Sequence, residues 1–143
     1  MISAFALVDE PEPGALGKPQ HVTAIHLTLL RPDGRGKADT KPSKLIVGSP
    51  LGHPIMLAPP NDLLGLAICE GIEDALTAHA ATGLGAWAAG AAGFLPALAK
   101  YVPSYTEAVT IYAHRDKAGL IGAHELAVAL RKRGIEVTIE GSS

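Results

Sequence analysis

Two short segments run an apolar strand directly into acidic residues and a glycine. The first is Leu66-Ala67-Ile68-Cys69-Glu70-Gly71, with Asp74 close behind; the second is Val109 to Ala113 followed by His114-Arg115-Asp116 and Gly119. In an open parallel sheet, side chains at the carboxyl ends of neighbouring strands converge on one crevice, so Glu70 and Asp116 can meet although they are distant in sequence. A hard cation such as Mg²⁺ takes oxygen ligands and keeps several waters, so carboxylates from Glu70, Asp74 and Asp116 together with phosphate oxygens would complete its shell. The chemistry suggested is phosphodiester work on nucleic acid with a divalent cation. Gly71 lets the backbone turn sharply from strand to helix, and Gly119 does the same after the second segment. Exposed N–H groups at the two helix starts would face the same crevice and favour an anionic phosphate.

The elements that must position these residues follow from periodicity. From Leu63 onward strands and helices alternate, which predicts a parallel sheet with crossover helices. Leu66 to Cys69, Ala86 to Ala89, Val109 to Ala113 and Ile135 to Ile139 read as four strands. Ile72, Ala75, Leu76 and His79 share one helical face, and Gly83 is placed to stop that helix. Phe94 to Tyr101 reads as a short helix with Pro96 in its first turn. Ala118 to Arg133 reads as the last helix, with Ala123, Leu126, Ala127 and Leu130 toward the sheet. Arg131, Lys132 and Arg133 suit the negative end of its dipole, and Gly134 suits a left-handed cap.

Before Ala58-Pro59-Pro60-Asn61-Asp62 the pattern is different. Val22 to Leu30, Lys44 to Val47 and Pro54 to Leu57 read as short strands of a small antiparallel appendage, with turn chemistry at Pro32-Asp33-Gly34. Residues 9 to 20 read as a loop or loosely held arm. The division expected is a β-rich segment over 1–62 and an α/β domain over 63–143.

Composition limits the classes of function. A chain of 143 residues suits one domain with a small appendage. A net charge of −2 gives no global attraction toward polyanions, so contact with nucleic acid must be local. Five of the 12 Lys and Arg residues, Arg31, Arg35, Lys37, Lys41 and Lys44, form a basic loop that suits phosphate. Arg115 and Lys117 flank Asp116 and suit the same ligand. The one cysteine, Cys69, sits in an apolar run and reads as a buried small hydrophobe, which fits a reducing cytoplasm. No stretch approaches the roughly 20 apolar residues of a membrane span, so no membrane contact is expected. Trp87 reads as core packing. His79 reads as a packed core residue, and His21, His26, His53 and His124 show no paired ligand spacing.

The ordered set Glu70-Gly71, Asp74-Ala75-Leu76, Gly83, a strand ending at Gly90, Asp116 and Ala118-Gly119 resembles the Toprim domain shared by topoisomerases, bacterial-type primases and related phage and plasmid replication proteins. The preceding segment, with Thr28-Leu29, Asp33-Gly34, Lys37-Ala38 and Gly48, is similar to the module that comes before Toprim in phage and plasmid primase-like proteins. The whole chain thus resembles a piece of a primase-helicase type protein.

The resemblance implies a Rossmann-like parallel four-stranded sheet with flanking helices. It implies Mg²⁺-dependent nucleotidyl transfer, with Mn²⁺ as a substitute and Glu70 as the proton carrier. Metal binding is implied for Asp116, with Asp74 and the variant position His114. Phosphate contact is expected at Arg115, Lys117, Arg35 and Lys37. The partners implied are DNA or an RNA primer, nucleoside triphosphates and a helicase domain or protein. The Asp-x-Asp pair of the family stands here as His114-Arg115-Asp116, and imidazole suits Zn²⁺ or Mn²⁺ better than Mg²⁺. Two other readings share the fold: a non-catalytic module that binds nucleic acid or a partner, and a Toprim-type nuclease.

Overall fold

The computed structural model describes residues 1–8, 12–13, 21–40 and 42–142. Most of the arm read at residues 9 to 20, and Lys41 of the basic loop, therefore lie outside the described residues. Three strands at the amino end, β1 (Ile2–Ala6), β2 (Val22–Thr28) and β3 (Lys44–Gly48), form an antiparallel sheet in that order. The connection between β2 and β3 turns at Pro32-Asp33-Gly34, where Gly34 N–H donates to the Arg31 carbonyl at 2.8 Å. An isolated bridge between Leu30 and Lys37 then brings Lys37 back beside β2.

A second sheet holds five strands. They are β4 (Ile55–Ala58), β5 (Gly65–Cys69), β6 (Gly85–Ala88), β7 (Ala108–His114) and β8 (Glu136–Ser142), in the order β4-β6-β5-β7-β8. The four strands expected to be parallel are so, through the β5–β6, β5–β7 and β7–β8 pairs. β4 corrects the sequence reading: it does not join the appendage but pairs antiparallel with β6 as the edge of the larger sheet. Its apolar residues find a covered surface there, and the first sheet has its own third strand in β1.

Helix α1 (Ile72–Thr82) links β5 to β6, and α2 (Lys117–Lys132) links β7 to β8, on opposite faces of the sheet. Strand alternation sorts the side chains by size. Leu66 and Ile68 of β5, Trp87 of β6, and Val109 and Ile111 of β7 pack with Leu126, Ala127 and Leu130 of α2. The other face carries Ala67, Cys69, Ala86 and Ala88, against which Ile72, Ala75 and Ala78 of α1 and Phe5 of β1 pack. Each large side chain buried in this way contributes about 1.5–3 kcal/mol. Trp87 is fully buried, as its strand position predicts.

Two further expectations change. The buried stripe of α1 is Ile72, Ala75 and Ala78, whereas Leu76 is half exposed and His79 lies outside the core. Small residues fit closest to the alanine-rich strands, and His79 Nδ1 instead contacts the Leu84 carbonyl at 2.6 Å. Between β6 and β7 the expected helix is replaced by two 3₁₀ turns, Ala92–Phe94 and Pro96–Leu98. Pro96 has no N–H, so the ladder of a continuous helix would be broken there.

The two sheets are joined through Phe5, which packs against Gly90 just after β6. A Cβ at position 90 would lie 2.6 Å from Phe5 Cζ, and the backbone φ of +92° suits glycine in any case. Ala6 N–H also donates to the Pro54 carbonyl at 3.2 Å. The antiparallel sheet is thereby fixed over one side of the larger sheet, above the carboxyl ends of β5 and β7.

Candidate functional site

Glu70 and Asp74 belong to the turn after β5 and the first turn of α1; His114 ends β7; Asp116 begins α2. Because β5 and β7 are parallel neighbours in register, with Cys69 opposite Tyr112, both ends open on one crevice. His114 joins the two sides. Its Nε2 lies 2.6 Å from Asp74 Oδ2, and its Nδ1 lies 3.2 Å from Glu70 Oε2. An ionised carboxylate only accepts, so Nε2 carries the proton of the shorter contact. The longer contact is within ion-pair reach but outside hydrogen-bonding geometry, so the buried Glu70 Oε2 has no directed hydrogen bond among the described residues. The Asp74 hydrogen bond, aided by the charges of Glu70, Asp74 and Asp116, outweighs burial and raises the pKa of His114.

Asp116 takes a different position. Its Oδ1 accepts the Gly119 N–H at 2.7 Å, which makes it the N-cap of α2. Gly119 is required at close quarters, since a Cβ there would sit 2.7 Å from the His114 carbonyl oxygen. Arg115 lies along the end of β8, its Nε 3.2 Å from where a Cβ of Gly141 would be, and Lys117 is exposed. Gly71, in extended conformation, is the N-cap residue of α1.

The amino-terminal sheet closes the crevice into a cleft of about 540 Å³, lined on one side by Thr28, Lys37 and Lys44 and on the other by Gly71, Glu73, Asp74 and His114. Lys37 Nζ pairs with Glu73 Oε1 at 3.2 Å. Burial raises the Glu73 carboxyl, but a backbone hydrogen bond and Lys37 outweigh it, leaving its pKa below the ordinary value. Burial and the nearby Lys37 lower the pKa of Lys44, which has no carboxylate in ion-pair range among the described residues. Arg31 pairs with Asp39 at 3.0 Å, and Arg35 remains exposed on the loop outside the cleft lining.

Sequence reasoning placed Lys44 in a basic loop but did not single it out, and it missed Glu73 as the partner of Lys37. The only local signal was the spacing of lysines on either side of the β2–β3 connection. Their meeting with α1 depends on how the two sheets pack.

The Mg²⁺ implied by the resemblance can be tested against the donors present. Octahedral coordination at 2.0–2.1 Å puts neighbouring ligand atoms about 3 Å apart. The 2.6 Å contact between His114 and Asp74 is shorter than this, and one oxygen of Asp116 is engaged by the helix backbone. Among the described residues no group of three or more His, Cys, Asp or Glu side chains is arranged to hold a metal ion. The donor set as it stands does not fit Mg²⁺.

No helix among the described residues is long and apolar enough to cross a membrane. No curated protein and no solved structure matches the chain significantly. A comparison with protein families matches residues 65–140 to the Toprim domain, a fold found in primases, nucleases and topoisomerases that engages nucleic acid and typically binds Mg²⁺ through acidic residues. That match spans more than half of the chain and runs from β5 into β8, taking in β5 and β7, whose carboxyl ends bring Glu70, Asp74 and His114 together, so the chain belongs to the Toprim domain family.

Proposed function

We propose that this chain is a nucleic-acid-binding Toprim module of a primase-like replication protein, and that it grips a phosphate backbone in the cleft between its two sheets. The observation that carries this reading is the pair Lys37 and Lys44, held over the carboxyl ends of the parallel strands. Lys37 disfavours the charged form of Lys44, and Lys44 lacks a carboxylate partner among the described residues, so a phosphate between them would relieve the repulsion. Residues 1–62 then supply the cationic wall and residues 63–143 the acidic floor. Lys37 exchanges Glu73 for phosphate when the ligand enters. Arg115, Lys117 and Arg35 extend the contact along the backbone outside the cleft.

Fluorescence anisotropy with labelled single-stranded DNA tests this. Binding should weaken with salt, and Lys37→Ala with Lys44→Ala should reduce the logarithmic salt slope by about 1.4, roughly 0.7 for each phosphate that is no longer neutralised. Binding that is indifferent to both lysines contradicts the reading.

A second reading is catalytic: nucleotidyl transfer with nucleoside triphosphates and a helicase partner, or cleavage. The buried Glu70 Oε2, free of a directed hydrogen bond, favours it as an available proton acceptor. Incubation of labelled DNA with Mg²⁺ or Mn²⁺, with and without nucleoside triphosphates, separates the possibilities. Extension or cleavage that disappears in Glu70→Gln supports catalysis, and unchanged DNA supports the binding module.

A further inference from the structure

We propose that His114 takes the place of the divalent cation in this Toprim pocket, so that the crevice is held together without Mg²⁺. Three observations converge on the ring. First, it lies between two carboxylates, 2.6 Å from Asp74 Oδ2 and 3.2 Å from Glu70 Oε2. Nε2 is thus engaged by Asp74 while Nδ1 lies within ion-pair reach of Glu70, and a nitrogen that donates its proton to a carboxylate has no lone pair left for an ion. Second, the ring presents nitrogen at the end of β7, where a hard cation such as Mg²⁺ prefers oxygen donors. Third, Asp116, the next carboxylate along the chain, has Oδ1 committed to the Gly119 N–H at 2.7 Å. Arg115 and Lys117 on either side of Asp116 add positive charge to the same strand end.

The consequence is a pocket whose metal requirement is set by one residue. With an aspartate at 114, the strand end would present three carboxylates with no internal donor between them. Like charges would then crowd the crevice, and an external cation would be needed to relieve them. With histidine, the N–H to Asp74 supplies that role from within. The inference concerns the acidic floor alone and stands whether or not the lysine wall binds nucleic acid.

The test is titration of the whole chain with Mg²⁺ by calorimetry, and with Mn²⁺ by electron paramagnetic resonance, in wild type, His114→Asp and His114→Asn. The wild type should give no saturable isotherm at millimolar Mg²⁺, and its melting temperature should be the same in Mg²⁺ and in EDTA. His114→Asp should gain a saturable isotherm and a melting temperature that rises with Mg²⁺. His114→Asn, which removes the ring and offers an amide oxygen, should gain weaker binding, and it decides the matter if His114→Asp is not native by circular dichroism. Saturable Mg²⁺ binding by the wild type overturns the proposal. So does a natively folded His114→Asp, or failing that His114→Asn, that binds no more tightly than the wild type.

Discussion

Replacing Asp116 separates a structural from a metal-binding role for that residue. The carboxylate accepts the Gly119 N–H at 2.7 Å and caps α2, a helix of 16 residues. Loss of an N-cap costs about 1 kcal/mol, and loss of negative charge at a helix start costs about 0.3–1 kcal/mol more. Asp116→Ala should therefore destabilise the chain by roughly 1–2 kcal/mol. With an unfolding entropy of roughly 2.1 cal/mol/K per residue over 143 residues, this lowers the melting temperature by about 3–7 °C. Asp116→Asn keeps the capping oxygen and loses only the charge, so its shift should be about 1–3 °C. Both shifts, read by circular dichroism, should be the same in Mg²⁺ and in EDTA. Equal losses for the two variants, or a loss seen only in Mg²⁺, would refute the capping argument.

Other consequences are equally direct. Gly90→Ala forces a Cβ against Phe5 at 2.6 Å with φ at +92°, so it should cost about 1–3 kcal/mol and loosen the amino-terminal sheet; denaturant unfolding and proteolysis between the sheets read both effects. The Cys69 thiol is fully buried, and burial with nearby Asp74 pushes its pKa up to about 12, so thiol reagents at mildly alkaline pH should react only after unfolding. The stability supplied by His114 should be fully present below its unfolded pKa of about 6.5 and fall as pH rises through its raised folded value. Comparison of denaturation curves for the wild type and His114→Gln across that window isolates the effect, and parallel pH profiles would contradict it.

The legible and illegible parts of this fold divide on physical grounds. The parallel strands were readable because continuous apolar runs such as Leu66 to Cys69 end at glycine or acidic residues, and Gly83 and Gly134 take the positive φ expected of helix stops. β4 was misplaced because Ile55–Ala58 has the same pattern in either sheet, and only its pairing with β6 decides. The face of α1 was rotated because periodicity favours Leu76 and His79 over Ala78, whereas the alanine-rich strands admit the smaller side chain. Convergence of the two acidic segments followed from parallel-sheet geometry. The bridging role of His114 did not, because a contact across 40 positions depends on rotamers that no spacing encodes. Nor did the spacing show Lys37 meeting Glu73, which requires the packing of Phe5 to set one sheet over the other.

The joining of Glu70, Asp74 and His114 in one crevice is most directly measured by NMR titration of the His114 ring in wild type and in Asp74→Asn. The ring should titrate above the ordinary histidine value of 6.5 in the wild type and move back toward it when Asp74 loses its charge. A ring that titrates at the ordinary value and ignores Asp74→Asn would mean that the carboxylates and the imidazole do not meet.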